Sequence, residues 1–187
     1  GMGADVTIMD VNLDRLRHLD EVMPANVTTV YSDAHAIYEH AVKADLVIGA
    51  VLIPGGRTPV LINKAMLKDM LPGSVIIDVG VDQGGCIETT RPTTHADPIY
   101  IIDEVVHYCV ANMPGAVGRT STQALCHATQ PYVISLAEAL AGDGLEPLVR
   151  KRADFNSALN IHAGKVTHKE VAHALGVAHD DSFAMTR

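Results

Sequence analysis

The run Asp78-Val79-Gly80-Val81-Asp82-Gln83-Gly84-Gly85-Cys86 sets two carboxylates, two adjacent glycines and a thiol directly after the apolar stretch Val75-Ile76-Ile77. A strand that ends in a carboxylate and then breaks at glycines puts polar groups and bare backbone at one edge of a sheet. In open α/β folds that edge, at the carboxyl ends of the strands, is where ligands bind. A carboxylate placed like Asp82 can orient a water, share a proton relay or stabilise a developing positive charge. The plainer alternative is an Asp held by the turn amides of Gly84 and Gly85. Asp10 ends another apolar run in the same way. There a dinucleotide-binding fold keeps an acid for the ribose hydroxyls, and the plainer alternative is an Asp that caps the next turn.

The elements that would carry these residues alternate. Ala4 to Met9 reads as a strand, Leu13 to Val22 as a helix capped by Asn12, Val27 to Tyr31 as a strand and Ala34 to Lys43 as a helix. Asp45 to Leu52 reads as a fully buried strand broken by Pro54-Gly55-Gly56. Leu61 to Met70 reads as a helix stopped by Pro72-Gly73, and Val75 to Val81 as the next strand. Apolar strands alternating with short helices indicate a parallel sheet covered on both faces, an α/β, doubly wound, Rossmann-like layout. Two further strands are expected at Ile99 to Ile102 and Val105 to Val110. A capping box at Thr120-Ser121-Thr122-Gln123 would open a helix to about Leu140, kinked or divided at Pro131. After the stop Gly142-Asp143-Gly144, helical signals cover Leu145 to Leu159 and resume behind a second capping box, Thr167-His168-Lys169-Glu170, to near Gly176. This gives residues 1–118 as a Rossmann domain, incomplete at its N-terminus, and 119–187 as C-terminal helices.

Composition narrows the function. The 187 residues carry a formal net charge of −8, against a nucleic-acid partner. Trp is absent and aromatics are few, so the core must be aliphatic. Cys86, Cys109 and Cys126 form an odd set without CxxC spacing, which reads as free thiols of a reducing, cytoplasmic compartment. No leader or membrane-spanning run is visible. Ten His invite a metal, but His168 and His173 fall on different faces of a helix and no metal site is expected.

Gly1-Met2-Gly3-Ala4-Asp5-Val6 has the pattern of a helix end, a tight turn and a strand. In a Rossmann domain such a passage follows a first strand and a G-x-G-x-x-G loop, expected about twenty residues before Asp10 and absent from this sequence. The first strand is central in the order 3-2-1-4-5-6. The expectation is therefore a piece of a longer polypeptide, its sheet completed by sequence outside this chain.

Several blocks carry a resemblance: Asp10 to Leu16, Asp45 to Gly55, Asp82 to Cys86, Arg91-Pro92-Thr93-Thr94 and Tyr108 to Pro114. In this order they resemble alanine dehydrogenases, over nearly the whole chain and most weakly after about Leu140. The resemblance implies oxidation of L-alanine to pyruvate and ammonia with NAD, a substrate domain built largely from an N-terminal half, and a homohexamer. It implies that Asp10 binds the adenosine ribose and disfavours a 2′-phosphate, with Arg15 and Ser32 near the adenosine. Val51 and Leu52 would approach the cofactor. Val79, Gly80 and Val81 would line the nicotinamide site by backbone contact. Asp82 would be catalytic beside the nicotinamide, and Val110, Ala111, Asn112 and Met113 would contact that same end. Arg91, suited by its fork to clamp a carboxylate, reads rather as structural, because the family's substrate-binding Arg, His and Lys belong to the N-terminal domain. Plainer readings stay open: a solvated helix residue for Arg15, core packing for Val51 and Leu52, a turn Asn for Asn112. Two rivals remain, the NAD-binding component of a proton-translocating transhydrogenase and a non-catalytic nucleotide-binding module. Alone, the chain is expected to bind NAD poorly and to be inactive.

Overall fold

Two compact units divide the chain: one formed by residues up to Val51 together with Thr58–Ala111, the other by the short run from Leu52 with the residues from Asn112 on. The computed structural model describes residues 2–56 and 58–184, so Gly1, the head of the expected N-terminal turn, lies outside the described residues.

In the first unit the order is β1 (Val6–Asp10), α1 (Leu13–Val22), β2 (Val27–Tyr31), α2 (Ala34–Ala41), β3 (Leu46–Gly49), β4 (Val75–Asp78), β5 (Ile99–Ile102) and β6 (Val105–Tyr108). The helices start where short polar side chains satisfy exposed amides: Asn12 Oδ1 accepts from Arg15 N at 3.0 Å, and Asp33 Oδ1 from Ala36 N at 2.8 Å. Leu16 and Leu19 bury the inner face of α1. β1 pairs with β2 in parallel, and a separate four-stranded sheet runs β3-β4-β6-β5. This is a Rossmann-like, mixed α/β arrangement. Among the described residues, β1 and β3 each keep one edge without a strand partner.

Four expectations change here. The sheet is not wholly parallel: β5 returns antiparallel to β6, because Asp103 and Glu104 take φ of 48° and 62°, the pattern of a two-residue type I′ hairpin. Residues 61–70 form no α-helix. Leu61 N and Ile62 N are spent on Cys86 O, and only a 3-10 turn, Lys64–Asp69, follows under the Asn63 cap. The strand expected to reach Val81 stops at Asp78, whose carboxylate takes the Gly80 amide and turns the chain.

Nor, among the described residues, are both faces covered. Val47, Ile76, His107 and Tyr100 lie in register on one face, which packs into a core of Ala41, Ile62, Met66, Leu67, Ile87 and Val105. On the other face, Leu46, Val75, Val106 and Ile101 form one row, and Ile48, Ile77, Tyr108 and Ile99 the next. Ile48 is 58% and Ile101 65% exposed, so the apolar run at 45–52 is not a fully buried strand.

The second unit contains a 3-10 turn at Met113–Val117, α3 (Gly118–Ala141), α4 (Leu145–Lys151), α5 (Ala153–Ala158), β7 (Ile161–His162), β8 (Lys165–Val166) and α6 (Lys169–Leu175). α3 begins at Gly118 directly from that turn, so Thr120 lies inside the helix instead of capping it. It continues undivided through Pro131. The stretch 145–159 breaks into two helices at Arg152, which is extended at φ −120° and ψ 115° and pairs with Asp154. Thr167 caps nothing, since its hydroxyl donates to Leu159 O at 2.7 Å. The β7–β8 hairpin turns on Ala163 and Gly164, both at positive φ. A small core of Val149, Phe155 and Phe183 holds the unit.

Candidate functional site

The carboxyl edge of the four-stranded sheet is organised around Asp78. Its inward parity on β4 leaves it fully buried, and a buried carboxylate must be hydrogen-bonded. Oδ1 accepts from Gly80 N at 3.1 Å, and Oδ2 accepts from Cys86 N at 3.2 Å. The Thr90 hydroxyl stands 2.7 Å from Oδ2 and 2.8 Å from Ile87 O. Gly85 sits at φ +68°, and a Cβ on it would stand 2.5 Å from Asp78 Oδ2. Only glycine lets the loop come this close.

Asp82 stands on the same loop, in the 3-10 turn Val81–Gln83, and is exposed. The turn amides that the plainer reading gave to it go elsewhere: Gly84 N to Val81 O at 3.2 Å, Gly85 N to Gly80 O at 3.0 Å. Among the described residues its carboxylate has no hydrogen bond or ion pair. The structure sets beside it Val79, exposed, with its amide on Gly49 O at 2.8 Å, Gly80, and the buried Val81. A Cβ at Gly80 would meet Val51 O at 3.2 Å, so the ends of β3 and β4 meet at this glycine. Val110 closes the row through its bridge to Thr93, and Ala111 N bonds to Thr93 O at 3.3 Å. Leu52, Asn112 and Met113 belong to the second unit.

At the end of β1, Asp10 is half-buried. Its Oδ1 accepts from Asn12 N at 2.8 Å, which is the turn-capping role, and Oδ2 has no partner among the described residues. Ser32 N reaches Asp10 O at 3.0 Å, so the ends of β1 and β2 bring Ser32 alongside Asp10. Arg15 is exposed in the first turn of α1, tied to the same Asn12 cap.

Behind the edge lies a second layer of chemistry-bearing side chains. His107 is fully buried, with Nδ1 3.0 Å from Val105 O and Nε2 2.8 Å from Thr89 Oγ1. A carbonyl only accepts, so the ring proton belongs on Nδ1, with Nε2 accepting from Thr89. Burial pushes the imidazole pKa down, in keeping with this neutral form. Tyr100 stacks on His107 at 4.9 Å and is pushed up to about 12, first by burial and then by its contact with Cys109. Burial also raises the Cys86 and Cys109 thiols, which makes them poor nucleophiles. The Arg91 guanidinium lies 4.2 Å over the Tyr100 ring and its amide donates to Tyr100 Oη at 2.9 Å, placing it in this structural layer. Sequence reasoning took Asp78 only as the carboxylate that ends a strand, and it passed over Thr90 and Tyr100. The signal was there in β4, where a carboxylate takes the inward parity of Ile76.

Among the described residues no three His, Cys, Asp or Glu converge as metal ligands, and no helix is long and apolar enough to cross a membrane.

Comparison with known proteins agrees with this architecture. The family model "Alanine dehydrogenase/PNT, C-terminal domain" matches residues 1–169. An alanine dehydrogenase of Halomonas elongata is 49% identical over 185 residues, covering 99% of this chain and 49% of that protein. One of Staphylococcus haemolyticus is 51% identical over 179 residues, covering 95% of this chain and 47% of that protein. Among solved structures, an L-alanine dehydrogenase superposes with a TM-score of 0.74 at 43% identity, over 93% of this chain and 47% of that one. A transhydrogenase from Sinorhizobium meliloti gives 0.61 at 26% identity, over 74% and 40%. The chain thus spans about half the length of the curated relatives it matches. With a strand-end acid on β1 and a glycine-bound acidic loop on β4, and with these matches across nearly all of its length, the chain belongs to the alanine dehydrogenase/PNT family, in the region of its C-terminal domain.

Proposed function

We propose that this chain is the NAD-binding portion of an L-alanine dehydrogenase, which interconverts L-alanine with pyruvate and ammonia. The observation that carries the reading is the exposed Asp82 carboxylate, unpartnered among the described residues and held at the carboxyl edge by a loop anchored on a buried acid. The residues present fit NAD. Asp10 Oδ2 is available to ribose hydroxyls, its charge disfavours a 2′-phosphate, and Gly80 offers bare backbone where a Cβ would stand tight against Val51 O at 3.2 Å. When bound, NAD accepts the hydride; the protein supplies position and electrostatics. Ser32 and Arg15 flank the adenosine. In the first unit Val51, Val79, Gly80, Val81, Val110 and Ala111 line the nicotinamide end; for Leu52, Asn112 and Met113, in the second unit, contact with the cofactor rests on the resemblance alone. Asp82 is the catalytic group, acting on the proton or the positive charge at the substrate nitrogen.

On this reading residues 1–118 form the NAD-binding domain and 119–187 return toward a substrate domain. That domain belongs to the part of the whole protein outside this chain, and it supplies the substrate-binding residues. Support comes from the unpaired edges of β1 and β3: one parallel strand between them would join the two sheets into a continuous Rossmann sheet. A cytoplasmic homo-oligomer, a hexamer, completes the proposal. The test is alanine-dependent NAD reduction by the whole protein. Its absence, together with hydride exchange between two nicotinamide nucleotides, would favour a transhydrogenase component instead.

A further inference from the structure

We infer that Asp78 is a positioning residue: it fixes the loop Gly80–Cys86 and so sets where Asp82 stands. The inference rests on the catalytic role proposed for Asp82. Both oxygens of Asp78 are engaged, and their donors bracket the loop: Gly80 N at its entry, Cys86 N at its exit, the Thr90 hydroxyl just beyond. Within the loop, Gln83 N and Gly85 N both return to Gly80 O, at 2.9 and 3.0 Å. The glycine that crosses Asp78 has no room for a Cβ, with Asp78 Oδ2 at 2.5 Å and Thr90 Oγ1 at 2.6 Å from that point. Asp82 contributes no bond to this closure, so its direction is inherited from the buried acid. Asp78 itself cannot serve substrate, being fully buried with every oxygen occupied. Charge-assisted bonds to backbone amides are the stronger kind, which suits a fixed loop.

An amide in place of this carboxylate cannot serve all three donors. Whichever way the amide were turned, its NH₂ would face Gly80 N–H or Cys86 N–H, donor against donor. In the whole protein, Asp78→Asn is expected to lower kcat for alanine oxidation by about tenfold to a hundredfold, as a small misplacement of a reacting group does, with the NAD dissociation constant little changed. Amide hydrogen exchange should quicken at Gly84–Cys86 and stay slow at Val75–Ile77. Should Asp78→Asn fail to fold, Thr90→Val removes one donor and keeps the carboxylate. It should quicken exchange at Cys86 and reduce kcat severalfold, with Thr90→Ser recovering most of the loss. Unchanged loop exchange in either folded variant, or faster exchange with kcat per folded molecule retained, overturns the inference. A parallel loss of NAD affinity and kcat, in step with a general drop in stability, overturns it as well. If the wild-type protein oxidises no alanine, the functional reading fails, and loop exchange alone still decides whether Asp78 holds the loop.

Discussion

The two faces of the four-stranded sheet are built from the same kind of residue and meet opposite fates. Ile76 and His107 on one face are sealed, while Ile48 and Ile101 on the other stand more than half exposed. Hydrophobicity is therefore not what separates them. The sealed face has Ala41 of α2 and the Ile62–Met70 segment folded over it, and among the described residues the open face has no such cover. Large exposed apolar patches, unlike scattered apolar residues, mark surfaces that take a cover. Among the described residues the edges of β1 and β3 also lack a strand partner.

The contrast can be broken by substitution. Ile76→Ala should cost about 2–5 kcal/mol in urea unfolding, through lost burial and a cavity. Ile48→Ala should stay within about 0.5 kcal/mol in the 187-residue chain. If sequence outside this chain covers the open face, the same change should exceed about 1 kcal/mol in the whole protein. Equal, small costs for Ile48→Ala in both settings would show that the face is solvent-exposed by nature.

The edge of the separate sheet gives the next effect. Asp10→Ala removes an acceptor with a free oxygen, so NAD binding to the whole protein should weaken about tenfold, roughly 1.4 kcal/mol, with a narrowed preference over NADP. Isothermal titration with both nucleotides checks this, and an unchanged ratio would assign Asp10 to turn capping alone.

The sealed face makes the smallest prediction. His107 is held neutral with its pKa lowered. Below about pH 6.5 the unfolded chain takes up a proton that the buried ring refuses, so stability falls with pH from there down to the lowered value. This residue can add at most about 1.4 kcal/mol per pH unit to that slope. Urea midpoints of His107→Gln should therefore depend less steeply on pH than those of the wild type. Identical slopes would remove His107 from the account.

Much of this was legible in the chain itself. The cap Asn12 and the first strands follow from local chemistry, and so does the stop at Gly142. That β1 and β2 stand in a sheet apart from β3 and β4 followed from counting strands against a Rossmann order. What escaped depends on partners distant in sequence. Leu61 and Ile62 surrender their amides to Cys86, so a helical pattern becomes an extended pairing. Thr120 looks like a cap, yet the turn at Met113–Val117 has already started the helix. Asp82 was visible by its place after the apolar run, whereas Asp78 looked like an ordinary strand end. Its role emerges only once Cys86 and Thr90 have folded back onto it.

The most direct test is the initial rate of alanine-dependent NADH formation by the whole protein, wild type against Asp82→Asn. The account predicts turnover in the wild type and a fall of about a hundredfold or more in kcat, with NAD still bound. Undiminished turnover in Asp82→Asn would contradict it.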